Sequence, residues 1–160
     1  MTDFAGLLQI LVRGGVEFIL VGGAAATAHG SARLTLDLDL VYRRSRENMN
    51  RLAAVLAPLK PYLRGAPPGL PFRWDSETLE RGLNFTLTTT LGDLDLLGEI
   101  AGGGTYESLR THTMTLSLFG VECMCLNLEK LIQAKRAAGR PKDFEAIAEL
   151  EAILEEQGRM

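Results

Sequence analysis

The sequence has little cysteine: Cys123 and Cys125 are the two in 160 residues, set two apart in VECMCL. That stretch reads as a strand, where residues i and i+2 point the same way, and a disulfide between them would be strained. Without nearby histidines they also make a poor zinc site. They are expected to be buried, reduced thiols, which suits a cytoplasmic protein. Long apolar runs are missing too, and none is long enough to span a bilayer. The opening MTDFAGLLQILVRGG places Asp3 early and Arg13 late. It lacks the basic start and long apolar core of a signal peptide. There is no basic excess. The net charge is -3, so no general attraction to nucleic acid is expected, and a polyanion would need a local basic patch. No G-x-G-x-x-G occurs, and the stretch between Gly23 and Gly30 is too short for the helix of a dinucleotide-binding unit. No Gly-Lys-Ser/Thr occurs, which excludes a P-loop. No internal repeat is visible.

What is present suits one soluble domain over 1–160, with 46% hydrophobic residues to fill a core and an ordinary 23% charged. Phe4, Leu7, Leu8, Leu11 and Val12 recur at helical spacing up to Gly14-Gly15. A short apolar strand, Val16 to Val21, leads into a Gly22-Gly23 turn and a small helix that Gly30 ends. Leu34, Leu36, Leu38 and Leu40 then alternate with Thr35, Asp37 and Asp39, which predicts a second strand with one wet face. Asn48 to Leu59 reads as a helix, and Arg64 to Phe72 as a loop rich in proline and glycine. Asp75 can start a helical turn. Asn84 to Thr90 and DLDLLGEI read as paired strands about Gly92, AGGGTYES as a flexible loop, and Thr113–Phe119 with Val121–Leu126 as a hairpin. The tail carries two helices, the second starting near Pro141 with an apolar face of Phe144, Ile147, Leu150 and Leu154. The predicted fold is α+β: a central mixed β-sheet flanked by helices, with a sheet-bearing core over 1–126 and C-terminal helices over 127–160.

Three features fall close together: Gly22-Gly23 after a strand, a short helix, and a strand carrying Asp37 and Asp39. A Gly-Gly turn lets backbone N–H groups approach an anion, and a following helix adds a positive end. Two aspartates two apart on a strand project to one side, with α-carbons roughly 6–7 Å apart. Such carboxylates repel unless a cation sits between them, and hard divalent ions prefer oxygen ligands. A second Asp-x-Asp, Asp93 and Asp95, can supply a third carboxylate for a phosphoryl- or nucleotidyl-transfer site.

VGGAAATAHGSARLTLDLDL resembles the signature of the nucleotidyltransferase superfamily related to DNA polymerase β. With His29-Gly30, Arg33 and Thr35 between the two halves, it is similar to the minimal members grouped with AbiEii-type toxins. GDLDLLGEI resembles the third-carboxylate strand, and LEKLIQAKRAAGRPKDFEAIAEL the C-terminal helical motif of that group. The resemblance implies transfer of a nucleoside monophosphate from an NTP to a hydroxyl of RNA, a protein or a small molecule. It implies Mg²⁺ or Mn²⁺ on Asp37, Asp39 and Asp95, with Asp93 as the fallback. Gly22 and Gly23 would hold the triphosphate. Arg33, Lys135, Arg140 and Lys142 would neutralise phosphate charge, and Asp143 belongs to the same C-terminal motif. A toxin–antitoxin setting with an antitoxin-like partner follows from the resemblance alone.

Plainer readings stand beside these. The Asp-x-Asp pairs can be wet strand faces, although aspartate is disfavoured there. His29 reads more readily as a cap or packing residue than as a catalyst. Arg33 and the C-terminal cations can be solvated charges, and Lys130 and Arg136 read as surface. Trp74 and Tyr106 read as packing or loop anchors. The alternative function is a non-catalytic module that binds a nucleotide or a partner.

Overall fold

The computed structural model describes residues 2–102 and 104–158. Helix α1, Phe4–Arg13, is capped by the Asp3 carboxylate, which accepts from the Gly6 N–H. Strand β1 is Phe18–Leu20 and helix α2 is Gly22–Ala28. Strand β2, Asp37–Tyr42, precedes helix α3, Arg46–Leu56, and a single 3₁₀ turn to Leu59. Strand β3 is only Tyr62–Leu63, and helix α4 is Ser76–Arg81. Strands β4, Phe85–Thr89, and β5, Gly92–Leu97, form a hairpin. Two small strands, β6 Glu99–Ile100 and β7 Gly104–Thr105, lead into helix α5, Tyr106–Leu109. Strands β8, Thr113–Leu118, and β9, Val121–Leu126, precede helices α6, Leu128–Ala138, and α7, Pro141–Gly158.

Among the described residues the main sheet has seven strands in the order β3-β4-β5-β2-β1-β9-β8. It is mixed: β2 runs parallel to β5 and β1 parallel to β9, while the other neighbours are antiparallel. Helices flank it, with α1 against β9 and α3, α2 against β2 and α6, and α6 against α7. The register of β2 on β5 sets Leu38 beside Leu94 and Leu40 beside Leu96, all four fully buried. Burying each such side chain stabilises by about 1.5–3 kcal/mol. A slip of one residue would turn these leucines to water and the aspartates inward, so the period-two pattern enforces the register.

The structure departs from the periodicity in four places. Strand β2 begins at Asp37, not Leu34, and Leu34 and Leu36 are 82% and 60% exposed. The reason is pairing: β5 first meets β2 at Asp37 and β1 first meets it at Leu40. Residues 34–36 therefore have no neighbouring strand on either side. Gly22 and Gly23 are not a separate turn; they are the first two residues of α2. AGGGTYES is largely ordered, because Thr105 and Ser108 form a reciprocal capping box that starts α5. Gly103 lies outside the described residues. Phe144 is 58% exposed, since the inward face of α7 is Asp143, Ala146, Ile147 and Leu150. Those four follow i, i+3, i+4, i+7 spacing, so the face is continuous and starts one residue earlier than hydrophobicity suggests.

Other expectations match in position. The β8–β9 hairpin turns on Phe119 and Gly120, both at positive φ, as a two-residue hairpin loop of the primed type requires. Cys123 and Cys125 are buried free thiols. The Trp74 indole N–H donates to Ala53 O, anchoring its loop to α3. Tyr106 is buried in the core.

Asn48, at the start of α3, is buried and ties three segments together. Its Oδ1 accepts from Glu17 N at 2.7 Å, and its Nδ2 donates to Glu17 O at 2.9 Å and Arg43 O at 2.8 Å. Asn48→Leu keeps the branched shape, with somewhat more bulk, but removes all three bonds, and Glu17 O is left with only the Arg43 N–H. It is expected to cost about 2–3 kcal/mol, read as a lower urea midpoint at unchanged slope.

Candidate active site

Strands β2 and β5 bring the two Asp-x-Asp pairs side by side. Asp37 pairs with Asp93 and Asp39 with Asp95, so four carboxylates share the wet face of two adjacent parallel strands. Asp37, Asp39 and Asp95 each offer an oxygen within 4.8 Å of the others. Asp93 stands outside that triad, which favours Asp95 as the third carboxylate.

Gly22 gives the triad its close neighbour. Its φ is +60°, and a Cβ there would overlap Asp39 Oδ2. Gly23 is crowded as well, with its Cβ position 2.6 Å from Thr35 Oγ1. Gly22 thus lets α2 approach the Asp39 carboxylate of β2, and Gly23 lets it approach Thr35 just before that strand.

Two concave lobes meet at this point. One, of about 390 Å³, is bordered by Gly22, Gly23, Arg33, Lys142, Asp37 and Asp143. The other, of about 440 Å³, is mostly apolar, with Leu97, Ile100, Leu126, Leu131 and Ala134 in its wall and Glu99 at its edge. Gly22, Asp39, Asp95, Lys135 and Arg140 border both.

The cations are held differently. Arg140 forks onto Asp143, with Nε–Oδ2 at 2.7 Å and the second nitrogen 3.2 Å from Oδ1. Asp143 is only 2% exposed. Burial alone would raise its pKa, but the bonds from Arg140 outweigh that and hold it below the usual value. Asp143 is therefore an orienting anion for Arg140. Lys135 is half-buried, and burial lowers its ammonium pKa against the pull of Asp143 and Asp39. Arg33 makes a long, exposed pair with Glu145 at 3.4 Å, a contact worth little in water. His29 stands outside the cluster: its Nε2 lies 2.7 Å from Leu126 O, and the residue ends α2. Arg136 pairs with Glu151.

One participant was not anticipated. Arg64, the first residue after β3, lies against the acidic face. Its guanidinium is 2.8 Å from Asp95, 3.5 Å from Asp93 and 3.6 Å from Asp37. The sequence signal for it is faint, because a two-residue strand has no readable period and the following stretch looks like loop.

Asp39 carries the main electrostatic anomaly of the carboxylate cluster. Burial, then the proximity of Asp95, then the charge of Asp37 lift its carboxyl from 3.8 to about 7, against a lowering bond from the Gly23 N–H. Asp39 Oδ1 and Asp95 Oδ1 are buried without hydrogen-bond partners. Two such orphaned oxygens, in a cluster of three carboxylates, suit a hard divalent cation. Between about pH 4 and 7 the folded protein holds more protons at Asp39 than the unfolded chain does. The contribution of Asp39 to stability thus falls as pH rises through that window. In EDTA, the stability of Asp39→Asn relative to the parent is expected to grow from roughly pH 4 to pH 8. Urea titrations of both proteins across that range measure it; a flat difference would mean Asp39 is an ordinary solvated carboxylate.

The architecture has known counterparts. Lincosamide antibiotic adenylyltransferase LnuA, solved with lincomycin bound, superposes at a TM-score of 0.61 and 15% identity, covering 92% of this chain and 94% of its own. A Thermotoga maritima protein named provisionally as a nucleotidyltransferase gives 0.56 and 14%, covering 93% and 94%. The antibiotic-resistance factor ANT(2'')-Ia gives 0.52 and 14%, covering 97% and 92%. The fold is a nucleotidyltransferase fold. No protein-family model matches the sequence, and no curated protein is significantly similar to it. No helix among the described residues is long and apolar enough to cross a membrane.

Proposed function

We propose that the protein is a metal-dependent nucleotidyltransferase, moving a nucleoside monophosphate from an NTP to a hydroxyl and releasing pyrophosphate. The observation that carries this is the convergence of Asp37, Asp39 and Asp95 where a polar lobe, bordered also by Arg33, Lys135, Arg140 and Lys142, meets an apolar one, on this fold. The three carboxylates would hold Mg²⁺ or Mn²⁺, which supplies charge stabilisation at the α-phosphate and leaving group when bound. Arg33, Lys135, Arg140 and Lys142, with the Gly22-Gly23 backbone, would take the triphosphate, and Asp143 would keep Arg140 aimed. Asp95 would orient the acceptor hydroxyl and draw its proton.

Attack and departure are in line in such transfers. With pyrophosphate in the polar lobe beside these four cations, the acceptor would enter from the apolar side. That lobe, about 440 Å³, has the size of a small-molecule pocket. A small hydroxyl compound is the acceptor this favours. An AbiEii-type toxin role, with an RNA or protein acceptor and an antitoxin-like partner in the cytoplasm, rests on motif resemblance alone.

The test incubates purified protein and Mg²⁺ or Mn²⁺ with each α-labelled NTP in turn, adding total tRNA, protein extract or a low-mass metabolite fraction. Label on a low-mass product supports the reading in full. Label on RNA or protein keeps the reaction and changes the acceptor. No label with any NTP or acceptor fraction sinks the proposal.

A further inference from the structure

Arg64 reaches the acidic face from the edge of the sheet. Its backbone N–H donates to Thr86 O at 3.0 Å; Thr86 pairs with Asp95, and Asp95 with Asp39. Arg64 is thus in one cross-strand row with two members of the triad. One guanidinium nitrogen is fixed on Leu87 O at 2.7 Å. The same nitrogen lies 2.8 Å from Asp95 Oδ1, out of hydrogen-bond alignment, and the contacts to Asp93 and Asp37 are longer, at 3.5 and 3.6 Å. Arg64 Nε is buried with no hydrogen-bond partner, and so is Asp95 Oδ1. The arginine therefore neutralises these carboxylates by proximity, without the aligned, two-pronged bonding that Arg140 makes to Asp143. A cation held by charge but poorly aligned is one that a better oxygen-seeking cation can displace.

We propose that Arg64 is the internal counter-cation of this carboxylate cluster and that a divalent ion must compete with it, so that Arg64 sets the affinity of the nucleotide-free site for metal. This rests on the reading of Asp37, Asp39 and Asp95 as a metal site. Without metal, Arg64 offsets the repulsion of the clustered carboxylates. With a divalent ion bound, the same carboxylates would be neutralised by the ion, against the repulsion of the guanidinium beside it. Arg64 is thus a positioning residue and holds no substrate atom in the proposal.

The experiment is a Mn²⁺ titration of nucleotide-free protein, following free Mn²⁺ by electron paramagnetic resonance, with Arg64→Met and Arg64→Lys beside the parent. Methionine keeps an unbranched stem and removes the charge. Arg64→Met is expected to bind Mn²⁺ about tenfold or more tighter, because an opposing cation is gone. Arg64→Lys keeps the charge on a shorter reach and is expected to fall between. In thermal melts, Arg64→Met is expected to lose stability in EDTA and to gain more from Mn²⁺ than the parent does. Equal or weaker Mn²⁺ binding by Arg64→Met overturns the inference and leaves the proposed reaction standing. Absence of Mn²⁺ binding in all three proteins overturns the metal site and the inference together. If Arg64→Met does not fold without metal, the Arg64→Lys comparison decides: tighter binding than the parent supports competition, and equal binding refutes it.

Discussion

Asp39→Asn is expected to reduce nucleotidyl transfer on the order of a thousandfold or more, the scale on which removing a group that acts on the transition state is felt. The side chain keeps its volume, so the fit against Gly22 is preserved and the loss is chemical. Asp39 stands at the junction of both lobes and inside the carboxylate triad. Its buried oxygen has no protein partner to lose. The variant should therefore be at least as stable as the parent in EDTA at pH 8, since burial and two neighbouring aspartates penalise the charge that it removes. Activity down with stability up is a signature that a structural aspartate cannot produce. Single-turnover rates with the labelled NTP, beside urea midpoints in EDTA, give both numbers. A variant that is both active and less stable would mean Asp39 belongs to the scaffold.

Gly22→Ala is the second large effect, through a different cause. Two costs meet at this position. The backbone has φ +60°, where a side chain costs about 1–2 kcal/mol. The added Cβ would also collide with Asp39 Oδ2 and crowd its Cβ and Cγ. Either α2 retreats or the Asp39 carboxylate moves. A displacement near 1 Å at such a group costs roughly a hundredfold in rate. Gly22→Ala is expected to lose about 2–4 kcal/mol of stability and at least about a hundredfold in transfer. Gly120→Ala separates the two costs. It also sits at positive φ, +80° at the β8–β9 turn, but nothing lies within 4 Å of its Cβ position. It should destabilise through backbone strain alone and leave transfer by the folded fraction unchanged. Melting temperatures and kcat measured below the melting range check both variants. If Gly22→Ala keeps full transfer, α2 is not what positions the Asp39 carboxylate.

Much of the site was legible because strand periodicity is a local property. The alternation Leu38-Asp39-Leu40 and Leu94-Asp95-Leu96 announces which side chains are wet, whatever the neighbours are. The C-terminal cations could be found for a similar reason: Gly139 and Pro141 mark the end of one helix and the start of the next. The fate of individual charges was less visible. Asp143 looks solvated beside Lys142, yet it turns inward while Phe144 turns out, because a buried carboxylate forked by Arg140 takes the first inward position of α7. Leu34 and Leu36 continue the alternation of Leu38 but stand in solvent, because a strand persists only where another strand bonds to it.

The sequence by itself determined that two Asp-x-Asp strands exist, that a glycine pair precedes the first of them, and that a helical tail bearing Lys135, Arg140 and Lys142 follows. These depend on interactions between residues a few positions apart, which sequence order displays directly. Only the tertiary structure decided that β2 and β5 are parallel neighbours, so that Asp39 meets Asp95 across 55 intervening positions of chain and Arg64 reaches both Asp-x-Asp pairs from the end of β3. Strand order and crossover are set by which buried surfaces and backbone ladders close most favourably across the whole sheet. That choice carries no local period, and it is what turns separate carboxylates into one site.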